Sequence, residues 1–217
     1  MRYALVVVAL LATACSSTQS TTAPAASAPG TSTTSTTTTT RSVDPELGPR
    51  RLKAAALPVD ALTAYGADQP KDDKYGIWNV TDLCGGVRDP GKYTSYYRSW
   101  SSDRIAAFNY VHRFEDTTAG EVLSWVADRA RTCPSYTHAD GSTRVVQADI
   151  ELPRNPILAG TFGYCEQLYS DTHLCAAVMS RDNLMSVFAV AGRGNRDDVR
   201  AQLLEVLPKA VDSLLKA

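Results

Sequence analysis

The hydrophobic pattern of this chain changes period several times, and each change marks an element. Tyr93 to Trp100 and Ile105 to Glu115 alternate with the period of a strand. The second run places Phe108, Tyr110, His112 and Phe114 on one face and Ala107, Asn109, Val111 and Arg113 on the other. Ser101-Ser102-Asp103 supplies a hairpin turn between them. Thr118-Ala119-Gly120-Glu121 then reads as a capping box, in which hydroxyl and carboxylate satisfy free backbone amides reciprocally. It opens a helix whose stripe of Val122, Trp125, Val126, Arg129 and Ala130 ends at Cys133 and is stopped by Pro134. Thr143 to Leu152 alternates again, with Val146, Ala148, Ile150 and Leu152 together. Three β-prone runs follow, Phe162 to Tyr169, His173 to Ser180 and Leu184 to Ala191. Turns at Ser170-Asp171 and Arg181-Asp182-Asn183 join them into an antiparallel meander. From about Asp197, capped by Asn195, the period returns to that of a helix, with Val199, Leu203, Val206, Leu207, Ala210, Val211 and Leu214 on one stripe. Pro208 is expected to kink or split it.

Ahead of the first strand, Pro58 to Leu62 predicts a short helix, and the turn-formers between residues 66 and 76 predict an irregular loop. The whole order is that of an α+β domain: an antiparallel sheet with helices packed mainly on one face.

The first residues follow a different logic. One basic residue, Arg2, an apolar run from Ala4 to Ala12, and the small residues Thr13 and Ala14 lead to Cys15. That order reads as a bacterial lipoprotein signal peptide over residues 1–14. Cys15 is then the lipidation site, and its acyl chains (palmitate among them) would partner the outer face of the cytoplasmic membrane. Residues 15–42 hold almost nothing but Ser, Thr, Ala and Pro, too little apolar surface to offset chain entropy, so they read as a disordered tether. Residues 43–217 form a single domain long enough to bury a core. Within it, Arg50, Arg51 and Lys53 beside the tether read as a solvated approach segment.

Removing Arg2 with the leader leaves 21 basic residues against 23 acidic, and the basic ones are scattered, which argues against a nucleic-acid partner. Four cysteines remain after Cys15: Cys84, Cys133, Cys165 and Cys175. Outside the cytoplasm an even number implies two disulfides, with three possible connectivities. A turn centred near residue 170 sets Cys165 opposite Cys175 across a hairpin, and elimination then pairs Cys84 with Cys133. No CxxC or HxxxH spacing occurs, and His112, His138 and His173 are far apart, so neither a metal nor another cofactor is expected.

No GxSxG elbow is present, cysteines engaged in disulfides are not nucleophiles, and Asp72-Asp73 and Asp197-Asp198 adjoin turns or a helix start. The reading is a non-enzymatic protein. Tyr97 and Trp100, from the aromatic cluster with Tyr93 and Tyr96, are candidates to stack a sugar or lipid, and His112 with Arg113 is the polar feature of a central strand.

A cysteine before the first strand, an aromatic alternating strand, an Ala-rich helix ending in cysteine, and Cys175-Ala176-Ala177 ahead of Arg181-Asp182-Asn183 together resemble the PknH-type extracellular sensor domain. That family occurs in mycobacteria and relatives, both on Ser/Thr kinases and as free-standing lipoproteins. The resemblance spans roughly Leu57 to Ala217 and implies two disulfides and a cleft suited to a ligand. One departure stands out: the family pairs the cysteine opening the late strand with another near position 191, here Ala191, and Cys165 takes that role instead. The expected function is a lipid-anchored extracytoplasmic binding or sensing domain whose partner is a small molecule, glycolipid or cell-wall component. With no intracellular domain expected, a signal would pass through a partner or end in binding alone. An envelope scaffolding lipoprotein that binds a protein is the alternative, and a hydrolase with an unrecognised site a more remote one.

Overall fold

The computed structural model describes residues 47–86 and 90–217. Cys15, the leader and the tether lie outside the described residues. Eleven helices and strands follow in chain order: α1 (Leu47–Ala55), β1 (Asp72–Gly76), β2 (Tyr93–Ser101), β3 (Ala106–Phe114), α2 (Ala119–Thr132), β4 (Ser135–Thr137), β5 (Thr143–Ala148), β6 (Gly160–Tyr169), β7 (Thr172–Arg181), β8 (Leu184–Arg193) and α3 (Arg196–Lys216). Short 3-10 turns occupy Thr63–Tyr65 and Leu83–Gly85. The strands form one antiparallel sheet in the order β1-β2-β3-β8-β7-β6-β5-β4.

Helices cover both faces of the sheet centre. On one face α1 and α3 pack Leu52, Leu203, Val206 and Leu214 against Tyr96, Trp100, Val111, Met179 and Phe188. On the other, α2 sets Val122 and Val126 against Phe114, Phe162, Val178 and Met185. Strands β7 and β8 are therefore buried on both sides, which is why Leu174–Ser180 and Leu184–Val190 read as near-continuous apolar runs. Each fully buried Leu, such as Leu52, Leu57 or Leu203, contributes roughly 2 kcal/mol by removal from water.

The ends of the helices behave as their sequences dictate. Glu121 N–H donates to Thr118 Oγ1 at 3.2 Å, and Thr118 N–H donates back to Glu121 Oε2 at 3.0 Å. Asn195 Oδ1 accepts from Asp198 N–H at 2.9 Å. Cys133 at the end of α2 bonds Cys84, and Cys165 bonds Cys175 directly across β6 and β7.

Several elements differ from the sequence expectations. The short helix after Pro58 does not form because side chains claim its backbone: Asn109 Oδ1 accepts from Leu57 N–H, Arg98 donates to Leu57 O, and Trp100 Nε1 donates to Val59 O. Residues 72–76 are not loop but the edge strand β1, held by the β2 ladder and by Arg98 Nε, which donates to Asp73 at 2.9 Å. The segment around Arg50, Arg51 and Lys53 is the helix α1, anchored through Leu52 and Ala55. Strand β5 stops at Ala148 because Asp149 takes a left-handed φ of 58°. On α2 the buried stripe is Val122, Leu123, Val126, Ala127 and Ala130, leaving Trp125 exposed. Helix α3 runs through Pro208, which sits on the exposed side, where the carbonyl it leaves without a donor is nearest to water.

Candidate functional site

The α2 face of the sheet is wider than one helix can cover. Beyond α2 it is roofed by the segment 77–86, a strap that returns from β1 across the strands. Three attachments hold the strap: Val80 and Leu83 are buried, Cys84 is bonded to Cys133 at the end of α2, and Tyr93 Oη donates to Trp78 O at 3.0 Å. Within it Thr81 Oγ1 accepts from Leu83 N–H at 3.1 Å, and Asn79 Nδ2 donates to Asp82 Oδ1 at 2.8 Å. Gly76 is needed where the strap leaves β1, since a Cβ there would lie 2.8 Å from Trp78 Nε1.

Between strap and sheet lies a cavity of about 190 Å³. Register explains its shape. Phe108, Ala189, Ala176 and Tyr164 stand side by side in one cross-strand row, so small residues occupy the middle of a row with a ring at each end. The next row brings Tyr97, Tyr110 and Val187 together. Trp78 from the strap packs on Tyr97 (ring centroids 5.3 Å apart), and Tyr97 packs on Tyr110 at 4.6 Å. Trp78, Phe108, Tyr110, Tyr136, Tyr164, Leu174 and Val187 make the walls.

The polar end of the cavity is built by β4, β5 and β6. Glu166, 3 % exposed, accepts from Tyr136 Oη at 3.1 Å and from Arg144 Nη1 at 3.4 Å. Burial pushes the Glu166 carboxyl above the usual carboxylate range, against the opposing pull of Tyr136 and Arg144. Burial, then the charge of Glu166, also holds the Tyr136 phenol above its ordinary value, so it remains a donor. The Arg144 side chain is 14 % exposed, and its Nη2 is 3.6 Å from Asp140. Arg144 Nε and Trp78 Nε1 belong to lining residues but are themselves fully buried, Trp78 Nε1 against Gly76, and neither has a hydrogen-bond partner among the described residues. A second cavity of about 260 Å³ shares Asn79 to Asp82 and Tyr136 with the first and adds Thr137 and His138.

Of Tyr97, Trp100, His112 and Arg113, the structure brings two to this face. Tyr97 backs the cavity wall through Trp78 and Tyr110. His112 lies further along the same face, wholly buried among Tyr93, Tyr110 and Phe114, with Nδ1 2.8 Å from Ser95 Oγ. Burial lowers its pKa to about 3, so the imidazole is neutral. Trp100 and Arg113 point the other way. Trp100 is 1 % exposed in the core beneath α1 and α3, and Arg113 is pressed against Gly48 of α1. The alternation that put Arg113 and His112 on opposite faces also separates them from a common site.

Trp78, Tyr136, Arg144, Tyr164 and Glu166 were missed. The signal available was a lone acid on the same strand face as Phe162 and Tyr164, and a lone arginine facing the same way as Val146. Each is a charge at a core-facing position of an alternating strand. Among the described residues no group of three metal-ligating side chains occurs, and no helix is long and apolar enough to cross a membrane.

No known family matches the sequence, and no curated protein does. Solved structures do match by shape. The crystal structure of the extracellular domain of PknH from Mycobacterium tuberculosis aligns over 77 % of this chain and 96 % of that one, at 14 % identity and a TM-score of 0.54. An uncharacterised protein from Mycobacterium smegmatis, described as an Rv0999 ortholog, covers 76 % of this chain and 96 % of its own at 13 % identity, with a TM-score of 0.41. The first likeness is one of fold: the chain shares its architecture with an extracellular domain of a mycobacterial protein.

Proposed function

We propose that this chain is an extracytoplasmic sensing domain, anchored by lipid at Cys15, that binds a small molecule between the strap and the sheet and performs no catalysis. The observation that carries the reading is a preformed cavity with largely aromatic walls and one polar end where Glu166, Tyr136 and Arg144 converge. An apolar pocket with a few convergent polar groups is the usual form of a small-molecule site. The remaining lining groups stack, donate and accept, which is the chemistry of recognition. The two disulfides suit an oxidising compartment, and the leader ending at Cys15 supplies the route to it.

A ligand in this cavity would hold the strap to the sheet, and the strap is bonded to the end of α2 through Cys84 and Cys133. Occupancy would thus be felt at the outer surface of α2, where Trp125 is exposed. Native mass spectrometry of the full-length protein, extracted gently from the envelope of cells that make it, tests the proposal. The expected spectrum carries the mass of acyl chains on Cys15 and of a bound small molecule. An unacylated protein with an empty cavity would overturn it.

A further inference from the structure

The two disulfides differ in what surrounds them, and the difference bears on the strap. We propose that Cys84–Cys133 is a redox-controlled catch: a dithiol reduces it ahead of Cys165–Cys175, and the strap 77–86 is then released to open the cavity. The inference concerns access to the cavity and holds whatever fills it.

Access to the sulfurs separates the pairs first. Cys165 and Cys175 are 1 % and 0 % exposed, in the core beneath α3. Cys84 and Cys133 are both half-buried, and Cys133 ends α2. Thiol–disulfide exchange needs a thiolate to reach a sulfur, so the outer bond is attacked first.

Register separates them again. Cys165 and Cys175 are direct partners in the β6–β7 ladder, which keeps them face to face whether or not they are bonded. A bond broken there re-forms, because the effective concentration of its two thiols stays high. Cys84 lies outside every strand, in the turn Leu83–Gly85. The strap hydrogen-bonds largely to itself, Gly85 N–H donating to Asp82 O and Gly86 N–H to Leu83 O. Once the disulfide is cut, buried Val80 and Leu83, the Tyr93 bond to Trp78 O and the pairing of Thr81 with Tyr164 are left to hold it.

The backbone supplies a third observation. Cys84 has a φ of 53°, in the left-handed region, and is followed by Gly85 at 84° and Gly86 at 80°. The glycines adopt that conformation freely; a residue with a Cβ does so at a cost. Reduction lets Cys84 relax away from the end of α2.

The exchange balances with the dithiol alone. One of its thiolates attacks a sulfur of the pair, the Cys84–Cys133 bond breaks and a mixed disulfide forms. The second thiol then displaces the remaining cysteine. The dithiol leaves oxidised to its disulfide, and its protons end on Cys84 and Cys133.

To test this, the full-length protein is equilibrated with rising dithiothreitol, trapped with N-ethylmaleimide and mapped by mass spectrometry. Cys84 and Cys133 should be labelled at a concentration about tenfold or more below that which labels Cys165 and Cys175. At that concentration amide exchange in residues 77–86 should quicken about tenfold or more, with β6, β7 and β8 as protected as before. The double variant Cys84→Ser, Cys133→Ser should show the same fast strap without reductant; if it does not fold, reduction of the wild-type chain decides. Labelling of all four cysteines together, or of Cys165 and Cys175 first, overturns the proposal. So does selective reduction that leaves the strap protected, or that removes protection from the whole sheet, since the bond is then purely structural. An empty cavity in native mass spectra would count against the binding role and leave the catch standing.

Discussion

His112 allows a pH prediction with a worked magnitude. Its imidazole is wholly buried, faces Tyr93, Tyr110, Phe114, Ser95 and Met185, and has no carboxylate beside it. Burial lowers its pKa from 6.5 to about 3. The unfolded chain therefore binds a proton at this residue below pH 6.5 that the folded protein refuses until about pH 3. The sign follows: stability from His112 is complete above pH 6.5 and is lost as pH falls through the window between the two values. Linkage gives a slope approaching about 1.4 kcal/mol per pH unit, and hence a loss of roughly 2 kcal/mol between pH 7 and pH 5. Urea unfolding of the full-length protein at half-unit steps from pH 7.5 to 4.5 reads this directly. His112→Phe, which keeps a ring among aromatic neighbours, should lower stability at pH 7 through the loss of Ser95's partner but flatten the slope by close to one proton. An unchanged slope in the variant, or a flat wild-type curve between pH 6.5 and 5, would refute the assignment of a neutral buried imidazole.

Further predictions use other parts of the molecule. Replacing Cys84 and Cys133 together with alanine frees a loop of 49 residues. Chain entropy then gives a loss of about 4 kcal/mol, seen in calorimetry as a melting point roughly 8 to 16 °C lower; a loss under about 1 kcal/mol would contradict it. Gly163→Ala places a Cβ 2.5 Å from Ile150 Cγ1 and 2.9 Å from Ile150 O, so denaturant titration should show a loss of about 1–3 kcal/mol. Wild-type stability in that variant would mean that Ile150 is free to move aside. Cys15→Ala should move the protein from the membrane fraction to the soluble one, and unchanged retention would rule out the lipid anchor.

Where local chemistry decides the backbone, the sequence was legible. The capping box at Thr118 and Glu121, the Asn195 cap, and the period-two faces of β2 and β3 all appear in the structure as read, because each depends on residues a few positions apart. The turn at Ser170-Asp171 likewise sets Cys165 against Cys175. What escaped was set by distant partners. The helix predicted over Pro58 to Leu62 is lost as Asn109, Arg98 and Trp100, some 40 to 50 positions away, bond the backbone of Leu57 and Val59. The edge strand β1 carries little apolar alternation and exists because β2 lies beside it. The cavity is the extreme case, since Trp78, Tyr136, Arg144 and Glu166 come from four segments that meet only once the sheet is complete. Tyr97 and His112 were visible because a single strand shows its own faces; which face carries a cavity depends on what roofs it.

The strand order holds a consequence for how the chain must fold. Strand β3 finds its second neighbour in β8, with Arg113 opposite Leu184 and Ala106 opposite Ala191, so the ladder joins residues 71 to 85 positions apart. Such non-local pairing is slow, because loop closure must precede any gain from contacts. The β1-β2-β3 unit therefore waits, with one edge open, until the last strand has arrived. Both disulfides escape this wait: Cys84 and Cys133 lie wholly upstream of β8, and Cys165 and Cys175 flank one hairpin. The strap can be bonded to the end of α2 without the β3–β8 ladder in place, so neither cross-link depends on sheet closure.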